Sequence, residues 1–321
     1  MRRILSWLLV APVALAMLVA IGFVSLFWAP DRPVGALKAR WAAPPSAFVE
    51  VAGMQVHLRD QGPRDDPEPL VLLHGTADSL HTWTGWVEAL KGARRVVTLD
   101  LPGFGLTGPF AHDDYSMARY VSFMQALLAR IGVDGRKVRC VLAGNSFGGN
   151  LAWRVALAHP ELVTRLILVD AGGYAANATS IPIGFRVAMT PGINRVMTWA
   201  LPRGLIESSV KNVYGDPARV TPALVDRYYE LALREGNRRA VALRFAHLRP
   251  GEMAERIREL TLPTLILWGG RDRLVPPGNA RRFAADIRGS ELKIFENLGH
   301  VPHEEDARVT VAAVARFLEK R

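Results

Sequence analysis

Ala143-Gly144-Asn145-Ser146-Phe147-Gly148-Gly149 closes a mostly apolar run, Val138 to Leu142, interrupted at Arg139, and opens a helix-like run from Asn150 to His159. It places a G-x-S-x-G pattern at a strand-to-helix junction. A sharp turn that pushes the Ser146 hydroxyl out at the end of a strand holds that residue in strained φ/ψ, and it leaves almost no room for side chains at Gly144 and Gly148. A hydroxyl exposed in this way can reach a base and a substrate carbonyl together. The pattern alone also fits an ordinary glycine-rich loop, so the reading depends on what surrounds it.

Working outward, continuous apolar runs recur at Leu70 to Leu73, Val96 to Leu99, Leu166 to Val169 and Leu265 to Trp268. Such runs are expected of parallel strands buried on both faces. Between them lie helical patterns, of which the clearest is Met117, Tyr120, Val121, Met124, Leu127, Leu128 and Ile131, stopped by Gly132. Ahead of the first run, Phe48 to Val51 and Gln55 to Leu58 alternate around Gly53, which predicts an antiparallel hairpin. The fold class is therefore α/β, a mostly parallel central sheet with helices on both faces. About ninety residues between Asp170 and Thr264 break the alternation with helical runs and no convincing strand. They read as a helical cap inserted over the strand ends. Within it Ile181, Ile183, Phe185, Val187, Met189, Val196, Met197 and Trp199 supply apolar surface, either as the cap's own core or as a pocket lining.

From Ile4 to Ala29 there is no Asp, Glu, Lys, Arg or His. As a helix this run would be roughly 39 Å long, enough to cross a bilayer with some tilt. It predicts a transmembrane anchor, with Arg2 and Arg3 favouring a cytoplasmic N-terminus and Trp7, Phe27 and Trp28 near the two interfaces. The rival is a cleaved signal peptide at Ala14-Leu15-Ala16, but the apolar run continues well past that point. The expected location is the cytoplasmic membrane, single-pass, with the remaining chain on the periplasmic or outer side. Ala16 and Ala20 have small-xxx-small spacing, which suits pairing of two such helices into a homodimer. The expected organisation is an anchor over 1–30, a Pro/Ala/Arg-rich linker over 31–45, a core over 46–173 and 263–321, and the cap over 174–262.

The net charge of +10 is concentrated in two places: five basic and one acidic side chain over residues 1–40, and thirteen and eight over 174–262. No nucleic-acid motif accompanies it, so attraction to anionic lipid or an arginine-rich surface explains the charge better than nucleic-acid binding. The single cysteine, Cys140, excludes an internal disulfide. His57, His81, His112, His159 and His247 show no metal-ligand spacing, so no metal or cofactor is expected.

Downstream of Ser146, Leu265 to Trp268 leads into Gly269-Gly270-Arg271-Asp272, and Leu292 to Phe295 leads into Asn297-Leu298-Gly299-His300. The order is Ser, Asp, His, each on a loop after a strand. With Leu72-Leu73-His74-Gly75, Asp100-Leu101-Pro102-Gly103-Phe104-Gly105 and Gly299-His300-Val301-Pro302-His303, these landmarks resemble the α/β-hydrolase family over roughly residues 46 to 320, apart from the insertion. With the anchor and the stretch His74-Gly75-Thr76-Ala77-Asp78, the chain resembles membrane-anchored bacterial esterases and lysophospholipase or phospholipase A type enzymes.

That resemblance and the chemistry assign the same roles. His300 would take the Ser146 proton and later deliver it to the leaving group, and Asp272 would orient the imidazole. The backbone N–H groups of Thr76 and Phe147 would form the oxyanion hole. His303 competes as base and Asp170 as acid; His74 is expected to order the oxyanion loop, and Glu304 and Glu305 to sit at a helix N-terminus. The expected function is hydrolysis of acyl esters of lipid type, with a carbon-carbon bond hydrolase and a non-catalytic membrane-tethered binding protein as alternatives. Epoxide hydrolases and dehalogenases are disfavoured because their family nucleophile is an aspartate where Ser146 stands. Proline iminopeptidases show a His-Gly-Gly-Pro-Gly loop that this chain lacks.

Overall fold

The apolar runs become strands because alternate residues find a hydrophobic layer on each side. In β3 (Leu70–Leu73) Val71 and Leu73 join one buried cluster while Leu70 and Leu72 join the other. The same split holds in β7 (Thr264–Gly269), where Ile266 and Trp268 oppose Leu265 and Leu267. A computed structural model of the chain describes residues 14–320 except Ala16 and Ala176. Its eight-stranded sheet has the order β1-β2-β4-β3-β5-β6-β7-β8. The expected hairpin is β1 (Ser46–Val51) and β2 (Met54–Gln61), antiparallel to each other, and β2 is antiparallel to β4 (Val96–Leu99). Every pairing from β4 through β3, β5 (Cys140–Asn145), β6 (Val163–Val169) and β7 to β8 (Glu291–Phe295) is parallel.

The chain runs from β3 to β4 on one side and then places β5 on the other side of β3. Successive connections thus leave the sheet in opposite directions at the β3–β5 boundary, and a crevice opens beyond the carboxyl ends of these strands. Ser146 follows β5 and His74 follows β3, so both stand at that switch point.

Three expectations need correction or restriction. Residues 4–13 and Ala16 of the proposed span, and with them Arg2, Arg3 and Trp7, lie outside the described residues. Residues 17–26 are helical, and among the described residues no helix is long and apolar enough to cross a membrane. Phe27 to Ala29 do not continue that helix. The Ala29 N–H donates to the Trp199 carbonyl (2.9 Å), the Leu201 N–H donates to the Phe27 carbonyl (3.0 Å), and the Trp28 ring stacks on Trp199 at 5.8 Å. Backbone pairing to the segment before Pro202 wins over helix continuation because Pro30 follows and cannot supply the next N–H.

The stretch expected as a linker contains a docked helix, Val34–Trp41. Its composition hid a helix that is weakly amphipathic and held by one deep contact. Leu37 is 1% exposed and packs with Leu106 and Leu231, while Trp41 Nε1 donates to Glu230 Oε2 at 2.8 Å. Leu37→Ala should therefore cost about 2–5 kcal/mol in urea unfolding, as a core truncation does, whereas the same change in a free linker would cost almost nothing.

Candidate active site

Ser146 sits at φ 53°, ψ −113°, a conformation that a non-glycine residue adopts only when its surroundings force it. The force is steric closeness on both sides. A Cβ on Gly144 would lie 2.3 Å from the Gly148 backbone, and one on Gly148 would lie 2.3 Å from the Leu73 carbonyl oxygen. The helix Phe147–Ala158 can therefore start immediately against β3 and β5, with Ser146 at its N-cap and the Phe147 N–H unpaired within the helix. Asn145 closes the strand below. Its Nδ2 donates to the Val169 carbonyl (3.2 Å) and to the His300 carbonyl (2.9 Å), so the residue before the serine holds the histidine loop.

Asp272 and His300, separated by one strand-loop unit, meet in a hydrogen bond of 2.7 Å between His300 Nδ1 and Asp272 Oδ2. The other carboxylate oxygen of Asp272 accepts the N–H groups of Leu274 (2.8 Å) and Val275 (2.9 Å), which fix its plane. An ionised Asp272 makes His300 Nδ1 the proton-bearing nitrogen, leaving Nε2 as the free base. That nitrogen is buried and has no hydrogen-bond partner among the described residues. His300 and Ser146 line the same cavity.

The cavity wall continues through Gly75, Thr76, Ala77 and Asp78. His74, fully buried, orders this loop: Nδ1 donates to the Gly75 carbonyl (2.7 Å) and Nε2 accepts the Leu101 N–H (2.9 Å). Burial lowers its pKa, in keeping with the neutral tautomer that these two bonds require. Opposite the loop, helices Ile183–Met189, Arg203–Val213 and Pro222–Ala232 between β6 and β7 contribute apolar side chains, among them Phe185, Val187, Leu205, Val210 and Leu231. Of the apolar residues singled out in the sequence, Phe185, Val187 and Met197 line the cavity. Ile183, Met189 and Trp199 are exposed instead.

The competing residues are placed elsewhere or otherwise engaged. His303 is buried, stacks on Trp83 at 4.0 Å and bonds Thr82 Oγ1 through Nε2 (3.0 Å); burial drives its pKa down to about 3. Asp170 lies beside Asp272, but the carboxylate hydrogen-bonded to His300 is that of Asp272. Glu304 and Glu305 do stand in the first turn of a helix, the short Pro302–Glu305 ahead of the last helix Ala307–Glu319, but their side chains are also engaged elsewhere. Glu305 accepts the N–H groups of Gly215, Asp216 and Gly299, tying the histidine loop to the residues after Val213. Glu304 belongs to a buried charge cluster whose centre, Arg227, no sequence signal marked. Arg227 pairs with Glu304 at 2.6 Å and with Asp78 at 3.4 Å, and Tyr214 and Tyr228 each donate to Glu304 at 3.1 Å.

One guanidinium here serves two carboxylates. Burial opposes charge on Glu304, yet the close contact with Arg227 more than offsets it and holds that carboxyl below its usual range. Asp78, the more distant partner, is pushed up to about 7 by burial and by the Glu304 charge. The folded protein thus binds a proton on Asp78 that the unfolded chain releases, between about pH 4 and about pH 7. Its contribution to stability is present on the acid side and lost as pH rises through that window. Urea titrations across the range should show wild type losing stability relative to Asp78→Asn as pH increases; parallel curves would contradict the cluster's charge balance.

Residues 70–314 match the profile of the Alpha/beta hydrolase family. A Pseudomonas putida 2-hydroxy-6-oxo-2,4-heptadienoate hydrolase is 29% identical over 287 residues, covering 84% of this chain and 95% of that protein. A Mycobacterium tuberculosis protein of uncharacterized function is also 29% identical, over 90% of this chain and 84% of its own. Among solved structures, a meta-cleavage product hydrolase superposes with a TM-score of 0.72 at 24% identity, over 86% of this chain and 98% of that one. A membrane phospholipase A superposes with a TM-score of 0.68 at 24% identity, over 99% of this chain and 98% of that one. The switch-point sheet, the strained serine turn and the profile match over most of the chain place this protein in the α/β-hydrolase family.

Proposed function

We propose that the chain is a membrane-anchored serine hydrolase of carboxylic esters of lipid type, such as a monoacylglycerol, lysophospholipid or phospholipid. The observation that carries the reading is that Ser146 and His300, whose buried Nε2 has no hydrogen-bond partner among the described residues, line one apolar-walled cavity. His300 takes the proton of the Ser146 hydroxyl as its oxygen attacks the ester carbonyl. The oxyanion is held by the N–H groups of Thr76 and Phe147. Losing one such donor typically costs about 3–4 kcal/mol in the transition state. His300 then gives the proton to the departing alcohol, and water repeats the sequence on the acyl-serine. Asp272 keeps the imidazole aligned throughout. The helices between β6 and β7 act as the cap over this cavity.

Carbon-carbon bond cleavage is the second reading, supported by the names of the relatives. Their heptadienoate substrate is a carboxylate and calls for a cation in the cavity. The arginine in the lining, Arg238, is already committed to Asp31 at 2.6 Å. An acyl chain suits the apolar wall better. The membrane placement is supported by the charge-free run Ile4 to Ala29 and by likeness along nearly the whole chain to a protein described as a membrane phospholipase A. The catalytic part would then lie outside the cytoplasmic membrane.

The test is a panel of monoacylglycerol, lysophospholipid, diacyl phospholipid and a vinylogous diketone, run on wild type and Ser146→Ala. Acyl-ester turnover that falls by about 10³-fold or more in the variant, with the fold intact by circular dichroism, is expected. Turnover confined to the diketone would favour carbon-carbon cleavage, and an inert wild type would favour a binding protein.

A further inference from the structure

Asp170 directly follows β6, with no solvent exposure and with φ at +45°, an unusual value for a residue other than glycine. Two bonds pin it to β7: its N–H donates to the Leu267 carbonyl (3.0 Å), and its Oδ1 accepts the Gly269 N–H (2.9 Å). Asp272 stands on the loop that leaves the same strand. The second oxygen, Asp170 Oδ2, is buried and has no hydrogen-bond partner among the described residues. A carboxylate oxygen of Asp170, one of Asp272 and a ring nitrogen of His300 all lie within 4.8 Å of one another.

Two buried carboxylates at such a distance do not both ionise when no cation sits between them. The ionised groups that act on Asp170 most strongly, Asp272 and Glu305, are both negative. Which of the pair holds the charge follows from the donors each receives. Asp272 has two backbone N–H groups and the His300 Nδ1–H, whereas Asp170 has the Gly269 N–H. Burial and the neighbouring Asp272 push the Asp170 carboxyl well above the usual carboxylate range. A protonated carboxyl carries one O–H, and the oxygen left without a partner is the one free to carry it.

We propose that Asp170 is a positioning residue that keeps its proton and donates the Oδ2–H to Asp272, fixing the carboxylate that orients His300. The proposal rests on the Ser146, His300 and Asp272 reading. The strain at Asp170 and its anchorage to Gly269 then have a purpose, since they hold this donor in register with the loop it serves. Asp272 is clamped from two directions, by the Leu274 and Val275 amides and by a neutral acid beneath it. Its other contact, to His300, remains free to respond to the charge that appears on the imidazole in the transition state.

An amide at this position can still accept from Gly269 and donate to Asp272, so Asp170→Asn should keep kcat within about threefold of wild type on p-nitrophenyl butyrate. Asp170→Ala should lower kcat about 10- to 100-fold while KM stays within about twofold, because the loss is of alignment rather than of substrate binding. Infrared spectra of the wild-type chain at neutral pH should contain, beyond the Asp78 contribution that both chains share, a protonated-carboxyl C=O band that is missing from Asp170→Asn. The proposal is overturned if that band is absent from wild type, or if Asp170→Asn loses as much kcat as a folded Asp170→Ala. It is equally overturned if a folded Asp170→Ala keeps wild-type kcat. Should Asp170→Ala not fold, the infrared band and the asparagine variant decide the matter. A Ser146→Ala chain that hydrolyses the ester as fast as wild type contradicts the assigned nucleophile instead, and the infrared band still judges Asp170.

Discussion

Everything at the site depends on how closely a helix can start against two strands. The turn at Ser146 stores backbone strain that is stable only because Gly144 and Gly148 let the helix Phe147–Ala158 press onto Leu73 and onto its own strand. Burial of both sheet faces supplies the opposing force. The strain is local and the packing that offsets it is spread over the two clusters on either side of β3, β5, β6 and β7. A serine held in this way keeps its hydroxyl at the switch point of the sheet, where the β3 loop and the helix start converge.

The histidine, by contrast, is held mostly from outside the sheet, with Asn145 at the end of β5 as the exception. The His300 N–H donates to the Val213 carbonyl at 2.7 Å, its carbonyl accepts from Asn145, and the following turn is tied through Glu305 to Gly215 and Asp216. Arg227 adds a second tie from the same segment between β6 and β7 to Asp78 and Glu304. The residues between β6 and β7 therefore do more than wall the cavity. They fix the positions of both the His300 loop and the loop that carries Thr76, so displacement of this segment would disturb both.

The strands were legible in the sequence because a strand buried on both faces needs a continuous apolar run, and few other structures do. The loop position of Asp272 was legible because it follows such a run, Leu265 to Trp268, whereas His300 follows an edge strand interrupted by Lys293 and was marked by its Gly-His pairing and its order in the chain. What stayed hidden lies in contacts between residues far apart in the chain. Asn145 reaches His300 across 155 positions and Arg227 reaches Asp78 across 149, and neither pairing leaves a local pattern. The helix at Val34–Trp41 was missed for a related reason: its fixing contact, Leu37 against Leu106 and Leu231, is tertiary rather than periodic. Glu304 and Glu305 open the short helix Pro302–Glu305, and their further role stayed hidden because most of their partners come from the segment between β6 and β7.

The central claim is that Ser146 is a nucleophile activated by His300. The most direct measurement is peptide mapping by mass spectrometry after reaction of the full chain with a fluorophosphonate. A single phosphonyl adduct on Ser146 is expected, formed slowly or not at all in His300→Ala. An unreacted wild-type chain, or an adduct on another residue that persists in Ser146→Ala, would contradict the claim.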